Sequence, residues 1–446
     1  MKKTIILFSV FLLCVAALLS AGAFKADAAD NVVFVAANGT GDGSSPDKPI
    51  GNSADYKPAT VGSEPGNAFY RALEKIKSTG GTVVVVGEVY IDSAHSRVPE
   101  NKTDKKVPSE FDLPGFKSNC TVTITSVYNG VDYRTKGAKF VLDHDACNTG
   151  MLVFSFATVF KDVNVEYKYD SSSSNKWGVP FILGGGGYAI TIDKGVTVTS
   201  YDTKTKKAGD VFPVLIGGAR YDNSINNTNV TVKSGTWSAV IAGSYGMVDA
   251  TPDRGTVKSN ATLLIEGGKI ETVVGTGSLE MPSGTVLGKL SMTVTGGEIQ
   301  EFYISNDHAF TGKSATITIE KNAKITNFLY TTPKYLGNLT ELVLKVTVTN
   351  NSSLKITPPV EVPEDVTLAP EETNRKPDSV ATEGNVVTKP MVTRPVTPED
   401  DRPLQQRIEE DFIHPKVFLG VVLAWALIGI GFGVRYLLKK VTVKKK

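Results

Sequence analysis

The sequence Asp143-His144-Asp145 is the strongest candidate in this chain for acid–base chemistry or metal binding. Paired carboxylates can hold a cation or act as the acid and base of a glycosidase. The same residues also suit a polar turn that leaves a strand, because aspartate tolerates turn conformations, and we favour the turn. The other histidines, at positions 95, 308 and 414, do not have the spacing of zinc ligands. The sequence therefore predicts no metal site and no cofactor, and it favours a protein that is not an enzyme.

Three tyrosines follow similar strand ends and suit the recognition of sugar rings. Tyr188, Tyr221 and Tyr245 come after Ile-Leu-Gly-Gly, Leu-Ile-Gly-Gly and Val-Ile-Ala-Gly, at separations of 33 and 24 residues. This spacing predicts one position on successive turns of a repeat. Charged residues of the same loops complete the predicted ligand-binding set: Arg220, Asp222, Asp249, Asp253 and Arg254. Aromatic rings beside planar polar groups bind sugars, and loops on a rigid scaffold often carry function. Alternatively, stacked tyrosines only stabilise the repeat, by about 0.5–1.5 kcal/mol per pair, and the sequence favours this alternative.

The elements that must position these side chains are short β-branched strands separated by turns rich in Gly or Asn. One motif recurs as Val-Thr-Val-Lys-Ser-Gly, Leu-Leu-Ile-Glu-Gly-Gly and Met-Thr-Val-Thr-Gly-Gly, starting at positions 230, 263 and 292. Its aligned Ile or Val residues are at positions 192, 232, 265, 294 and 319, so the period drifts from 40 to 25 residues. Constant strands with variable loops are typical of a β-solenoid. Alternation of apolar residues predicts that one face of each strand points inward.

The start of the repeat region has its own signals. Asn67 suits the N-cap of a helix that carries Phe69, Leu73 and Ile76 on one apolar stripe. Gly80-Gly81 ends this helix, and residues 82–86 form an apolar strand. A helix across the end of a solenoid covers an edge that would otherwise template aggregation.

These features resemble a known fold family. The segment Val32-Val33-Phe34-Val35, the turn at residues 39–46, the helix and the strand after it are similar to the N-terminal part of pectate-lyase-like right-handed parallel β-helix proteins. Residues 154–165 and the Gly-Gly repeats resemble β-helix surface proteins of Gram-positive bacteria. The resemblance covers residues 30–350 and implies an all-β, right-handed parallel β-helix (a β-solenoid) of about nine or ten turns. The superfamily includes lyases, hydrolases and adhesins, so it does not imply one activity. The Gly-His-Gly and Arg-Ile-Lys motifs of polygalacturonase-type hydrolases are absent from the sequence.

Both ends of the chain predict export and anchoring. Residues 1–28 combine Met-Lys-Lys, an apolar stretch and small residues at a cleavage site, which is typical of a signal peptide. Residues 417–434 are uncharged and, at about 1.5 Å per residue, cross most of a bilayer's hydrocarbon core. The lysine cluster follows on the C-terminal side only, so the positive-inside rule places it in the cytoplasm. We therefore expect a single-pass type I protein of the cell membrane with an extracellular ectodomain.

Composition divides the remaining chain into a head and a stalk. Prolines interleaved with Thr, Val and charged residues over positions 357–415 are typical of an extended, disordered stalk. The predicted organisation is a signal peptide (1–28), the start and cap of the β-helix (30–80), the β-helix head (81–356), the stalk (357–415), a transmembrane helix (416–438) and a basic tail (439–446).

Charge and cysteine content limit the classes of function. The chain carries 48 basic and 46 acidic residues, but without the signal peptide and the membrane-proximal basic group the net charge is about −7. This balance argues against nucleic-acid binding. Cys120 and Cys147 remain after processing. Export permits a disulfide between them, and burial of two separate thiols in the core is the alternative.

The sequence predicts a cell-surface, adhesin-like protein that binds a polysaccharide or a surface glycoprotein through an elongated face of the solenoid. The alternatives are an envelope protein without a specific ligand and a membrane-anchored carbohydrate-active enzyme, either a polysaccharide lyase or a glycosidase. Self-association through the C-terminal end of the solenoid is also open, because the cap near residues 345–355 is weakly marked.

Overall fold

A computed structural model gives the fold of most of the predicted head. It describes residues 31–58, 60, 63–92, 113–117, 119–144, 150–172, 181–219, 225–245, 255–277, 284–306, 312–333 and 337–361. By its contacts the chain divides into two units, Met1–Pro370 and Glu371–Lys446, and every described residue belongs to the first. Within the described ranges, no helix is long and apolar enough to span a membrane. The predicted signal peptide, most of the stalk and the predicted transmembrane segment lie outside these ranges.

The largest sheet contains ten parallel strands, numbered here in chain order. In spatial order they are β1 (Val32–Val35), β2 (Gly81–Val85), β4 (Thr121–Thr125), β9 (Ala157–Lys161), β12 (Ala189–Ile192), β16 (Thr228–Val232), β18 (Ala261–Ile265), β20 (Lys289–Val294), β22 (Ser314–Ile319) and β24 (Val346–Asn350). Because neighbouring strands lie about 4.8 Å apart, this sheet is about 43 Å long. Its strand number agrees with the nine or ten turns expected.

The register of this sheet confirms the alignment made from the repeats. The aligned apolar residues are consecutive Cα partners and are buried in the main core: Ile192, Val232, Ile265, Val294 and Ile319. The same column continues toward the N-terminus through Phe160, Ile124 and Val83. One stack of buried side chains therefore runs through the solenoid, with one member from each turn.

Two further sheets complete the cross-section. The seven-stranded sheet is parallel and consists of β8 (Met151–Val153), β11 (Ile182–Gly184), β15 (Val214–Ile216), β17 (Thr236–Ile241), β19 (Lys269–Val274), β21 (Glu298–Ser305) and β23 (Lys324–Thr331). The five-stranded sheet consists of β3 (Glu88–Ile91), β7 (Lys139–Asp143), β10 (Asn164–Tyr169), β13 (Thr197–Asp202) and the antiparallel β14 (Lys207–Ala208). A separate hairpin pairs β5 (Val127–Tyr128) with β6 (Val131–Asp132). Long parallel sheets visited in turn by the chain are compatible with a β-helix.

Two α-helices accompany the strands. Helix α1 (Ala68–Ile76) begins as predicted, with the Asn67 side chain accepting a hydrogen bond from the backbone N–H of Phe69 at 2.9 Å. Its predicted apolar stripe is buried. Helix α2 (Leu339–Lys345) is capped by Asn338, buries Leu342 and contacts β24, the last strand of the ten-stranded sheet. Short 3-10 helices occupy Glu64–Gly66 and Tyr133–Lys136.

Small residues after the strands of the seven-stranded sheet form tight corners. The N–H of Gly185, Gly217 and Gly275 donates to the carbonyl of the next turn, at 2.9, 3.1 and 3.0 Å. A Cβ atom on Gly217 would lie 2.5 Å from the carbonyl oxygen of Ala242, closer than non-bonded atoms allow. The glycines noted in the sequence therefore let successive corners stack.

A second apolar cluster lies on the outer side of the seven-stranded sheet. The inward residues of these strands, such as Leu215 and Val240, belong to the main core. Their neighbours form the outer cluster: Met151, Ile182, Val214, Ile216, Ile241, Tyr245, Val274 and Tyr303. This sheet is therefore apolar on both sides, as buried parallel sheets commonly are.

Candidate functional site

Two residues of the Asp-His-Asp motif, Asp143 and His144, lie within the described ranges, so the predicted pairing of Asp143 with Asp145 stays a prediction. Asp143 is half-buried at the end of β7, opposite Lys168 of β10. His144 is buried, with its Nδ1 2.9 Å from the hydroxyl of Tyr167 and its ring edge-on to Phe181. Asp143 is half-buried, whereas His144 is buried against Tyr167 and Phe181, so the two side chains lie in different surroundings. Asp145 lies outside the described residues.

Asp143 has a different acidic neighbour, which the sequence analysis missed. Asp92 follows β3 and is buried, and the Tyr56 hydroxyl donates a hydrogen bond to it. Burial raises the pKa of Asp92, the Tyr56 hydrogen bond opposes this, and the charge of Asp143 raises it further. Within the described part of the chain, no group of three or more His, Cys, Asp or Glu residues could hold a metal ion.

The predicted tyrosine ladder is only partly described. Tyr188 precedes β12 and is 42 % exposed, whereas Tyr245 is 6 % exposed and belongs to the outer apolar cluster. No contact between these two rings occurs among the aromatic pairs of the described residues. The remaining members lie outside the described ranges: Arg220, Tyr221, Asp222, Asp249, Asp253 and Arg254. The ladder stays a prediction, and of its two described tyrosines only Tyr188 faces solvent.

Cys120 is buried, with its Sγ 3.9 Å from the carbonyl oxygen of Lys77. It forms no disulfide with any described residue. Cys147 lies outside the described ranges, so the pairing of the two cysteines stays a prediction.

A column of polar side chains follows the corner that leads from the ten-stranded to the seven-stranded sheet. Thr236, Lys269, Glu298 and Lys324 are consecutive Cα partners at the starts of β17, β19, β21 and β23. With strands about 4.8 Å apart, the column extends for about 14 Å along the solenoid. The residues after the first three, Trp237, Ile270 and Ile299, are buried in the core, and Ile325 after Lys324 packs against it. Strand alternation therefore fixes the polar side chains on the outside.

Glycine makes this arrangement possible. Gly268 and Gly297 directly precede Lys269 and Glu298 and have φ of +92° to +94°, a left-handed conformation that glycine adopts without strain. A Cβ atom on Gly268 would lie 3.0 Å from the carbonyl oxygen of Gly235 in the preceding turn. The corners thus stack closely and bring the polar residues into register.

The preceding turn forms a wall at one end of this column. The segment after β14 is held by a hydrogen bond from the Phe212 N–H to the Ser238 hydroxyl at 3.1 Å. The Tyr169 hydroxyl donates to Asp210 at 3.2 Å. Asp210 and Phe212 therefore stand beside the floor made by the later strands.

Two adjoining, solvent-open depressions of about 600 and 550 Å³ lie over this floor, and we call them the charged groove. The wall borders the first of them. Ligand sites typically have about 300–1,000 Å³. The two depressions share Thr236, Lys269, Glu298 and Lys324. The first is also lined by Asp210, Phe212, Trp237, Ile270, Glu271, Ile299, Gln300 and Thr326.

The electrostatics of the charged groove suit binding rather than proton transfer. Lys324 Nζ lies 3.0 Å from Glu298 Oε1, and both side chains are well exposed, at 75 % and 53 %. This hydrogen bond, and then the charges of Lys324 and Lys269, lower the pKa of Glu298. Glu298 therefore accepts hydrogen bonds at neutral pH and is unsuited to act as a general acid. Because exposed ion pairs contribute little to stability, the pair can rearrange around a ligand.

Sequence analysis missed the charged groove although its signal was present. Lys269 and Glu298 follow the Gly-Gly pairs of the repeats, and Lys324 holds the equivalent position in a repeat without that pair. The position directly after each corner is therefore polar but varies in residue type, whereas the rest of the motif is constant. Variation at a fixed outward position of a repeat indicates a surface that the core does not constrain.

The described residues thus form three long sheets, compatible with a β-helix, and the charged groove lies on their outer surface. Comparison of the chain with models of protein families, with curated proteins and with solved structures found no match.

Proposed function

We propose that this protein is a cell-surface, adhesin-like protein that binds a polysaccharide or a surface glycoprotein in the charged groove. The observation that carries the proposal is the column of Thr236, Lys269, Glu298 and Lys324, placed in register along the solenoid by parallel strands. A rigid row of donors and acceptors is preorganised, so a ligand that fits it loses little binding energy to ordering the site.

The chemistry of the groove fits a polyhydroxylated polymer. Lysine ammonium groups donate hydrogen bonds to hydroxyl or carboxyl oxygens, and Glu298 accepts them from hydroxyl groups. Phe212 adds an aromatic side chain at the wall, and aromatic rings pack against the apolar faces of sugars. The basic and acidic residues are mixed, so the groove suits a ligand without a strong net charge.

The location predicted from the sequence and the parallel sheets of the fold are consistent with the same proposal. The predicted signal peptide, stalk and transmembrane helix would hold the head outside the cell and away from the membrane. We also propose that the parallel sheets form a right-handed β-helix of the pectate-lyase-like type. The ten-stranded parallel sheet and the Asn67-capped helix at its start support it.

Binding can be tested with residues 30–361 on an array of neutral and charged polysaccharides and glycoproteins. We expect saturable binding that weakens at least about tenfold when Lys269→Ala and Lys324→Ala remove two charged donors. The matched control is Lys258→Ala with Lys289→Ala, which makes the same charge change at exposed lysines outside the groove. Adding Tyr188→Ala separates the groove from the predicted tyrosine ladder. Equal loss in both double variants, or no saturable binding, would contradict the proposal.

A carbohydrate-active enzyme is the second candidate, favoured by one observation. Burial, and then the charge of Asp143, raise the pKa of Asp92 against the Tyr56 hydrogen bond, which favours a proton on this buried carboxyl. Pairs of carboxyl groups with different pKa values carry out glycoside hydrolysis. Release of new reducing or unsaturated ends is therefore measured in the same samples. Turnover that is lost in Asp143→Ala would favour the enzyme, whereas binding without new ends favours the adhesin.

A further inference from the structure

The outer side of the ten-stranded sheet carries two columns of small, uncharged side chains, which we call the threonine face. It comprises eight strands, from β4 to β24. One column contains Thr121, Ala157, Ala189, Asn229, Thr262, Ser291, Thr316 and Thr347. The other contains Thr123, Val159, Thr191, Thr231, Leu264, Thr293, Thr318 and Thr349. The first column is mostly exposed and the second mostly half-buried.

The absence of charge distinguishes the two columns from the outer side of the five-stranded sheet. About one in four to one in three surface residues is normally charged, yet neither column contains a charged residue. On the five-stranded sheet, Lys139 bridges Glu88 and Glu166 at 3.1 and 2.8 Å. Natural β-proteins use charges, lysine above all, to keep exposed strand edges from pairing with other copies. The two columns themselves carry no charge, and the lysines on the same outer side, Lys161 of β9 and Lys289 of β20, lie just beyond them.

The charges at one border of this face are neutralised within the chain. The residues that follow the second column include Asp193, Lys233 and Glu266, which are neighbours in the stack. Lys233 Nζ lies 3.2 Å from Asp193 and 3.8 Å from Glu266. A second copy approaching this face therefore meets little like-charge repulsion from this border.

We propose that the threonine face is an interface between two copies of this chain, packed side by side. The eight strands extend for about 34 Å, and two columns with their borders are about 15 Å wide, giving roughly 500 Å² per copy. The total of about 1,000 Å² is the lower limit for a specific interface. The structure thus fits a weak, reversible dimer.

The packing chemistry supports a second copy as the occupant. Rows of mostly small side chains on parallel strands can interdigitate with rows of the same spacing, and another threonine face has that spacing. Threonine hydroxyls both donate and accept hydrogen bonds, and their methyl groups exclude water. This association lies along the solenoid, unlike the end-to-end contact that the sequence left open. The threonine face meets the charged groove at Lys233, which also lines the second depression.

The test uses the full chain in the membranes of cells that express it. Thr262→Cys places a thiol near the centre of the threonine face. In a two-fold symmetric dimer, a residue at the centre of the interface lies close to the same residue of the other copy, whether the two solenoids run parallel or antiparallel. A short bismaleimide then crosslinks paired copies. The matched control is Thr199→Cys, an exposed threonine on the five-stranded sheet. The parent chain gives the background from its own cysteines.

We expect Thr262→Cys to give at least about ten times more covalent dimer than Thr199→Cys. Adding Asn229→Lys and Ser291→Lys on either side of the thiol should reduce this dimer at least about tenfold, since desolvated like charges cost several kcal/mol. Asn229→Ser with Ser291→Thr should preserve it. Equal crosslinking of both thiols, or a dimer unaffected by the lysines, would overturn the proposal. Protection of the Thr262→Cys thiol from maleimide without a dimer would overturn it too, by assigning the face to another partner.

Discussion

Exchanging valine and threonine at neighbouring positions of β16 tests the register on which both proposals depend. Val232 is fully buried between Ile192 and Ile265 of the adjacent turns. Thr231 is half-buried on the outer side, between Thr191 and Leu264. A slip of one residue would exchange the two environments.

The two substitutions differ in cost because only one buries a hydroxyl group. Val232→Thr keeps the side-chain volume but places a donor and acceptor among apolar side chains, which costs about 1–3 kcal/mol of unfolding free energy. Thr231→Val removes a hydroxyl on the outer side, where substitutions usually change stability by less than about 0.5 kcal/mol. Both residues are β-branched, so strand propensity changes little.

Guanidinium unfolding of residues 30–361 measures the difference. Buried Trp237 lies on β17, which directly follows β16, and reports on this part of the solenoid through its fluorescence. We expect a lower midpoint for Val232→Thr, an unchanged midpoint for Thr231→Val and equal slopes for both. Equal midpoints, or a larger loss in Thr231→Val, would refute the inward assignment of Val232 and with it the threonine face.

Two further predictions concern helix α1 and the hairpin of the five-stranded sheet. Asn67→Ala should lower the unfolding free energy by about 2–4 kcal/mol, because this buried side chain caps the helix and donates a 2.8 Å hydrogen bond to the carbonyl oxygen of Tyr90. The matched cap variant Asn338→Ala, at an exposed site, should cost about 1 kcal/mol or less; similar losses in denaturant titrations would contradict this. Burial acts to raise the pKa of Asp202, but hydrogen bonds, first from Ser171, outweigh it and lower the pKa to about 2. The ionised Asp202 carboxylate should therefore stabilise the folded state fully above about pH 4, and this contribution to the unfolding free energy should be lost as pH falls toward 2. Melting curves at several pH values should show a weaker acid dependence for Asp202→Asn; an unchanged dependence would argue against this role.

The sequence predicted what the core dictates. The aligned apolar residues at 192, 232, 265, 294 and 319 proved to be consecutive partners, because each must fill the same space in successive turns. Asn67 was identified as a helix cap for a local reason, since its side chain bonds to the N–H of Phe69, two residues later. Both signals are set by short-range geometry and strand alternation.

The pairing register of the seven-stranded sheet at the glycine corners could not be predicted from the apolar pattern of the sequence. Aligning the Gly-Gly pairs placed Ile182 opposite Leu215, but the structure pairs Ile182 with Val214 and Leu183 with Leu215. Gly184 therefore stands where the next turn has Ile216. Both sides of this sheet are apolar, so alternation carried no signal to fix the register.

The two proposed surfaces have different chemistry because they lie at outward positions, where core packing does not choose the side chain. On β18, the outward residue Thr262 belongs to the threonine face, whereas Lys269 on the next strand lies in the charged groove. The two sites are separated by one corner, Glu266 to Gly268. Apart from Lys233, which borders the threonine face and lines the second depression of the groove, the two sites use different side chains. A dimer through the threonine face would carry two charged grooves, so a long polymer that reaches both would be held more tightly than by either head alone.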